Sequence, residues 1–146
     1  KELYARYGEK IVLPVDLAWV ENDRRKEAVL GQVPGDITSL DIGSRTAEAY
    51  RNEILAAKTV FVNGPMGVFE QEPSELGTKA VWQALADTDG FTVLGGGDSI
   101  TATEKYQLAS RMGYICTGGG ALIRFLTGEE LPVVKALRHG AGLCKD

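Results

Sequence analysis

The chain has 146 residues, a formal net charge of −4 and an isoelectric point near 5.1. This length fits one folded domain, and the acidic balance argues against nucleic acid or an anionic membrane surface as the main partner. No apolar run reaches the ~20 residues that a membrane span needs. The 18 glycines are clustered, which indicates specialised loops rather than disorder.

The first part of the chain predicts a helix end, a strand, a loop and a helix. Residues 1–10 read as the end of a helix that runs into a strand, so we expect the chain to enter its domain partway through, as part of a longer protein. The apolar run KIVLPV (10–15) predicts a strand. Residues 21–39 are polar and predict a loop, with room for a short edge strand. In 40–57, Ser44 is the expected cap of a helix.

From residue 58 onward, predicted strands and helices alternate. We expect strands at 58–64, 90–97 and 113–120 and helices at 74–86, 98–112 and 121–128. Asp98 is the expected cap of the second of these helices. This alternation predicts parallel strands joined by right-handed crossovers, and therefore an α/β layered fold with a mainly parallel sheet.

The two cysteines and the single histidine carry little functional signal. Cys116 and Cys144 have no CxxC partner, which predicts free thiols in a reducing compartment, with a disulfide as the minor alternative. His139 lies in a polar, glycine-rich tail, where we expect it to face solvent.

Three predicted strand ends carry glycine-rich loops, at 63–67, 95–99 and 117–120. Strands that are each followed by a helix end at one edge of a parallel sheet, where ligands bind. Glycines allow backbone N–H groups to approach a ligand, and the helix that follows adds donors and partial positive charge. One such loop is usually turn geometry, and neither GxxxxGK[ST] nor GxGxxG occurs. Three loops at one edge predict a phosphate site.

Two carboxylates beside these loops allow two interpretations each. Asp98 is either a helix cap or a ligand of Mg²⁺, which would relieve its repulsion from a bound phosphate. Ser99 is positioned to donate to the same phosphates. Glu70 is either a solvated residue or an acceptor for ribose hydroxyls, and its position alone favours the solvated interpretation.

The loops together resemble those of the phosphoglycerate kinase family. The matching segments, in the family's order, are KIVLPVDLAW (10–19), LDIGSRTAEAY (40–50), VNGPMGVFE (62–70), GGGDS (95–99), TGGGA (117–121) and FLTGEELP (125–132). The resemblance implies a cytoplasmic enzyme with two Rossmann-like domains that moves a phosphoryl group reversibly between 1,3-bisphosphoglycerate and MgADP, giving 3-phosphoglycerate and MgATP, in glycolysis and gluconeogenesis.

The same resemblance implies which part of the family the chain represents. Residues 1–130 correspond to most of the C-terminal, nucleotide-binding domain, and 131–146 to a tail that returns toward an N-terminal domain. That second domain, which would hold the phosphoglycerate substrate, is absent from the sequence. The segment with the family's phosphate-binding lysine is absent too. We therefore expect no turnover by this chain alone.

By matching position, the resemblance also implies site residues. Those at the nucleotide are Leu40, Asn63, Pro65, Val68, Glu70, Gly95, Gly96, Gly97, Asp98 and Ser99. The resemblance assigns Mg²⁺ to Asp98, the ribose to Glu70, and the adenine to Leu40 and Val68. The remaining residues lie along the phosphates. Gly118, Gly119 and Gly120 begin a helix that faces the transferred phosphoryl group, whose charge needs positioned N–H donors.

The chain departs from the family at three positions, and two alternatives stay open. Ser44 replaces a usual proline, and Leu122 and Arg124 replace a common Ser and Glu. Lys105 and Arg45 carry no implied role and are expected to be solvated.

The alternative functions are a non-catalytic adenine-nucleotide binding module and a different α/β sugar-phosphate enzyme. The apolar pair before the ribose-side glutamate argues against the latter.

Overall fold

Two separate three-stranded sheets organise residues 1–143, which the computed structural model of the chain describes. The strands are β1 (Asp16–Glu21), β2 (Arg24–Val29), β3 (Asp41–Ile42), β4 (Thr59–Asn63), β5 (Phe91–Gly95) and β6 (Tyr114–Cys116). The helices are α1 (Glu2–Tyr7), α2 (Ser44–Ala56), α3 (Leu76–Asp87), α4 (Gly97–Lys105), α5 (Gly119–Leu126) and α6 (Pro132–Leu143). Short 3₁₀ turns span Gly8–Lys10, Glu72–Ser74 and Ala109–Arg111. None of the described helices is long and apolar enough to cross a bilayer.

The second sheet confirms the predicted α/β class. Its strands lie in the order β4-β5-β6 and both pairings are parallel. The connections contain α3 between β4 and β5, and α4 between β5 and β6, as parallel pairing requires. The strands are short apolar runs, typical of strands buried within an α/β domain. All three end at the same edge, where the glycine-rich loops begin.

The hydrophobic core lies between this sheet and helices α3 and α4. Its buried members are Val62, Phe69, Val81, Trp82, Leu85, Leu94 and Ala102. On the opposite face of the sheet, a Cβ atom added at Gly95 would lie 3.2 Å from Cδ2 of Leu122. Helix α5 therefore packs on that other face, and the sheet is the middle layer of three.

The first sheet is antiparallel, with the order β2-β1-β3, and the sequence did not predict it. β1 and β2 form a hairpin whose two turn residues, Asn22 and Asp23, have φ angles of 50° and 58°. Positive φ at both positions is the geometry of a two-residue type I′ hairpin turn. All of β2 falls in the segment 21–39, which was predicted to be a loop with room for a short edge strand.

The strand predicted at 10–15 is wrong, because β1 begins only at Asp16. Residues 11–15 join no sheet in the described chain, and Val12, Leu13 and Val15 are each more than half exposed. An apolar run becomes a strand only where another strand is available to accept its hydrogen bonds. Here a cavity of about 340 Å³ separates Val12 from the free edge of β4.

The buried carboxylate of Asp41 forms an ion pair within the first sheet and also joins that sheet to α3. Arg25 Nη1 lies 2.9 Å from Oδ2 of Asp41, whose side chain is fully buried. The same carboxylate accepts hydrogen bonds from the backbone N–H groups of Ile42 (2.9 Å) and Gly77 (2.8 Å). Burial raises the pKa of Asp41 despite these donors. Through its bond with Gly77, this carboxylate fixes the segment that leads into α2 against the start of α3.

The start of helix α2 differs from the prediction. Ser44 lies inside α2, whose N-cap is Gly43. The first turn is capped instead from β1 and β2, by Asp16 on the backbone N–H of Thr46 (2.9 Å) and by Glu27 on that of Ser44 (3.0 Å). These carboxylates satisfy donors that the helix cannot pair by itself.

Helix α4 is also shorter than predicted, and the tail is mostly exposed. α4 ends at Lys105, and Gln107 has a φ of 57°.

In the tail, residues 132–142 contain no buried position. The division of the chain at residue 130 stays a prediction. Cys116 is a free thiol, whereas Cys144 lies outside the described residues.

Candidate functional site

The three glycine-rich loops begin side by side at one edge of the parallel sheet. Asn63 at the end of β4 is in register with Gly95 of β5, which is in register with Cys116 of β6. Each loop then leaves the sheet from the carboxyl end of its strand. This edge is where open α/β sheets bind ligands, and the structure brings the predicted phosphate loops together there.

The three loops contact one another through their glycines. A Cβ atom at Gly119 would lie 2.9 Å from Cα of Gly96, and one at Gly96 would lie 3.0 Å from Oδ1 of Asn63. The first distance, to a backbone atom, is shorter than real Cβ contacts, so only glycine permits this approach at position 119. The second is tighter than most real Cβ contacts, but its partner is a side-chain atom. Gly96 also has a φ of 94°, in the left-handed region. By contrast, Gly97 and Gly120 would meet nothing within 4 Å, and they face open space.

Ser99 joins two of the loops from inside the protein. Its hydroxyl is fully buried and accepts a hydrogen bond of 2.8 Å from the backbone N–H of Gly64. The carbonyl of Ser99 accepts one of 2.7 Å from the Thr103 hydroxyl, which in turn accepts one of 2.8 Å from the Trp82 indole. The structure thus gives the Ser99 hydroxyl a role inside the protein, as the acceptor that ties the loop after β4 to α4. The predicted contact of Ser99 with a phosphate stays a prediction.

Asp98 lies in the first turn of α4 and does not cap it. The N-cap is Gly96, and the Asp98 side chain is exposed. Within residues 1–143 the Asp98 carboxylate forms no ion pair. No group of three His, Cys, Asp or Glu side chains in that range is placed to hold a metal. One free carboxylate beside a phosphate cradle fits Mg²⁺, which takes its other ligands from phosphate oxygens and water.

Two of the predicted adenosine-binding residues, Val68 and Glu70, lie on the loop that follows β4, and the third, Leu40, lies directly before β3. The backbone N–H of Val68 donates to the carbonyl of Leu40 at 2.8 Å, so these two residues are adjacent. Val68 is 36% exposed and Leu40 is half-buried. The next residue, Phe69, is buried in the core, and Glu70 is exposed. The apolar side chains of Val68 and Leu40 are therefore close together, and the Glu70 carboxylate follows two residues after Val68.

Lys105 is exposed, as predicted, with 37% of its side chain accessible, but it also secures this loop from the far end of α4, a role that was not predicted. Its ammonium group lies 2.5 Å from the carbonyl oxygen of Phe69 and 2.8 Å from Oε2 of Glu75. The hydrogen bond from Lys105 lowers the pKa of Glu75. Burial, together with Glu75, raises the pKa of Tyr106 beside them to about 12. Arg45 is exposed too, as predicted.

Comparison with known proteins identifies the family. The family model described as phosphoglycerate kinase matches residues 1–129. The chain belongs to the phosphoglycerate kinase family. This agrees with the resemblance that the loop segments carry.

Curated members of the phosphoglycerate kinase family match over most of this chain. The phosphoglycerate kinase of Desulfovibrio desulfuricans is 48% identical over 138 residues, covering 92% of this chain and 36% of that protein. That of Methanothermus fervidus is 42% identical over 139 residues, covering 95% of this chain and 34% of that protein. The chain therefore spans about a third of the length of the curated relatives that it matches.

A solved phosphoglycerate kinase structure has the same fold over the shared region. The enzyme from Pyrococcus horikoshii superposes with a TM-score of 0.83 at 42% identity, covering 94% of this chain and 35% of that one. The enzyme from Coxiella burnetii gives the same TM-score at 33% identity.

Sequence reasoning missed the residues that hold the phosphoglycerate kinase loops in place. Besides Ser99 and Lys105, the Thr78 hydroxyl accepts hydrogen bonds from the backbone N–H groups of Met66 (3.1 Å) and Gly67 (3.3 Å). Thr78 is fully buried on α3. A buried threonine in a helix gives no pattern that distinguishes an anchor from ordinary packing, so only the tertiary structure could identify it.

Proposed function

We propose that this chain is the nucleotide-binding part of a phosphoglycerate kinase, and that it binds MgADP and MgATP at the carboxyl edge of the β4-β5-β6 sheet. The observation that carries the proposal is the contact of Asn63, Gly96 and Gly119 at that edge. Three loops of backbone donors and two helix N-termini meet there, which suits an anionic ligand with several phosphates.

The phosphates would lie over the first turns of α4 and α5. The backbone N–H groups of Gly95, Gly96, Gly97 and Ser99, together with Asn63 and Pro65, would follow them. Gly118, Gly119 and Gly120 would face the transferred phosphoryl group. Asp98 would hold Mg²⁺, whose charge offsets that of the phosphates. Donors fixed in advance stabilise the dispersed charge of a phosphoryl group in transit without any reorganisation at the moment of reaction.

The adenosine would lie along the loop after β4. Leu40 and Val68 supply an apolar wall for the base, and Glu70 accepts hydrogen bonds from the ribose hydroxyls. A site for phosphate alone has no use for such a wall, which favours a nucleotide over a simple sugar phosphate.

The activity of the whole protein is part of the same proposal. It is reversible phosphoryl transfer between 1,3-bisphosphoglycerate and MgADP, in glycolysis and gluconeogenesis in the cytoplasm. The chain spans only about a third of its relatives, so the phosphoglycerate substrate would be held by residues outside this sequence. We expect no ATP formation by the 146-residue chain in a coupled assay. A non-catalytic adenine-nucleotide module would have the same binding site.

A pair of charge-matched variants tests the proposed adenosine site. Glu70→Gln removes the ribose acceptor, whereas Glu72→Gln removes an equally exposed carboxylate two residues away. In calorimetric titration with MgADP, we expect Glu70→Gln to weaken binding about tenfold, because a hydrogen bond to a charged group contributes roughly 1.5–3 kcal/mol. Glu72→Gln should leave the affinity unchanged. No MgADP binding by the wild-type chain, or equal effects of the two variants, would contradict the proposal.

A further inference from the structure

We infer that Lys105 is a positioning residue for the nucleotide: by holding the carbonyl oxygen of Phe69, it fixes the peptide group that carries Glu70 and so sets the affinity for the ribose. This inference rests on the proposed nucleotide site. It rests on a set of contacts between the C-terminal end of α4 and the segment just after the loop 63–67.

The Lys105 ammonium group is held by several partners, while 37% of the side chain remains exposed. It contacts the Phe69 carbonyl at 2.5 Å and the Glu75 carboxylate at 2.8 Å. It also lies 5.9 Å from the centre of the Phe69 ring and 5.7 Å from that of Tyr106, within the range of cation–π attraction. The Glu75 side chain is only 17% exposed. A lysine with these four partners has lost the freedom of a surface side chain.

The held carbonyl belongs to the residue immediately before Glu70. The Phe69 ring is anchored in the core, and the backbone N–H of Val68 donates to Leu40. The backbone is therefore fixed up to the Phe69 carbonyl by three separate contacts. Glu70 itself is exposed, and its direction depends on the plane of the peptide group that Lys105 holds. A binding carboxylate must be held within about 0.5 Å of its working position by supporting residues.

A simpler role for Lys105 is to neutralise the partial negative charge at the end of α4. A basic residue in the last turn is favourable for any helix, but that effect needs no contact with another segment. Lys79 provides the comparison, because it pairs with the same Glu75 at a longer 3.5 Å and is 64% exposed. Only Lys105 reaches the loop that carries Glu70, across 36 residues of sequence.

The test combines a protein variant with a ligand variant. ADP and 2′,3′-dideoxy-ADP, each with Mg²⁺, are titrated into the wild-type chain, Lys105→Gln, Lys105→Arg and the control Lys79→Gln, after circular dichroism shows that each variant is folded. The ratio of the two dissociation constants measures the contribution of the ribose hydroxyls. We expect wild type to prefer ADP by about tenfold, which corresponds to one good hydrogen bond.

Lys105→Gln should reduce this preference to about twofold or less, Lys105→Arg should restore most of it, and Lys79→Gln should keep it. A merely structural role would weaken both ligands equally and leave the ratio unchanged, and that result would overturn the inference. Absence of MgADP binding by wild type would instead overturn the proposed function. Should Lys105→Gln not fold, Lys105→Met takes its place, because it keeps the aliphatic chain but has no group to hold the Phe69 carbonyl, and an unchanged ratio in that variant would equally overturn the inference.

Discussion

The closest approach between two of the proposed phosphate loops lies at Gly119, and a single methyl group tests it. The added Cβ of Gly119→Ala would lie 2.9 Å from Cα and 3.2 Å from N of Gly96. Both are backbone atoms, which cannot rotate away as a side chain would. Overpacking of this kind costs about 1–3 kcal/mol, and the higher helix propensity of alanine offsets at most about 1 kcal/mol of it. We expect Gly119→Ala to lower the free energy of unfolding by about 1–2 kcal/mol.

Gly120→Ala is the matched control, because its Cβ would meet nothing within 4 Å. It adds the same methyl group one residue along α5 and keeps the backbone N–H. Urea unfolding, followed by circular dichroism, gives both free energies. We expect Gly120→Ala to be neutral or up to about 1 kcal/mol more stable than wild type. Equal effects of the two variants, or a stabilised Gly119→Ala, would refute the loop contact.

Three further changes test the contacts that support the site. Ser99→Ala leaves the backbone N–H of Gly64 without its acceptor, so we expect a loss of about 1–2 kcal/mol in urea unfolding and weaker MgADP binding. Arg25→Met leaves the buried Asp41 without its ion-pair partner and should cost about 3 kcal/mol or more in the same assay. The pKa of Glu75 is lowered on folding, so its ionised form stabilises the protein above its ordinary pKa of 4.5. Wild type should therefore lose its stability advantage over Glu75→Gln as the pH falls below that value.

Each of these changes has a control and a result that would contradict it. Thr101→Ala removes an exposed hydroxyl that bonds only within α4, so it should cost less than Ser99→Ala. Lys26→Met removes an exposed charge next to Arg25 and should be nearly neutral. A control variant that loses as much unfolding free energy as its paired variant would contradict the expected role of that contact. For Glu75, the contradicting result is a difference in unfolding free energy between wild type and Glu75→Gln that stays the same from pH 7 to pH 3.

The sequence predicted the parallel sheet and the meeting of its loops, because both follow from local signals. Apolar runs that alternate with helices dictate parallel pairing, and parallel pairing places all three loops at one edge. The antiparallel sheet escaped prediction because β2 is largely polar. Its one local signal, Asn22 followed by Asp23 in a two-residue hairpin turn, is weaker than the Asn-Gly or Asp-Gly pairs that mark such turns.

The supporting residues of the site could not be predicted from the sequence, because their partners lie far along the chain. Lys105 contacts Phe69 across 36 residues, and Ser99 contacts Gly64 across 35. In the sequence alone, Lys105 is a charged residue near a helix end, and Ser99 is a polar residue beside a phosphate loop. The fold makes the first an anchor of the loop that carries Glu70 and buries the hydroxyl of the second against the backbone of Gly64.

The central claim is that the edge with the three loops binds a nucleotide with Mg²⁺, and Asp98 tests it most directly. Calorimetric titration of ADP, with and without Mg²⁺, is performed on wild type, Asp98→Asn and the control Glu104→Gln, which removes an exposed charge from the other end of α4. We predict that Mg²⁺ tightens ADP binding in wild type and in the control, and that this effect disappears in Asp98→Asn. An Asp98→Asn variant that keeps the full Mg²⁺ dependence, or a wild-type chain that binds no ADP, would contradict the claim.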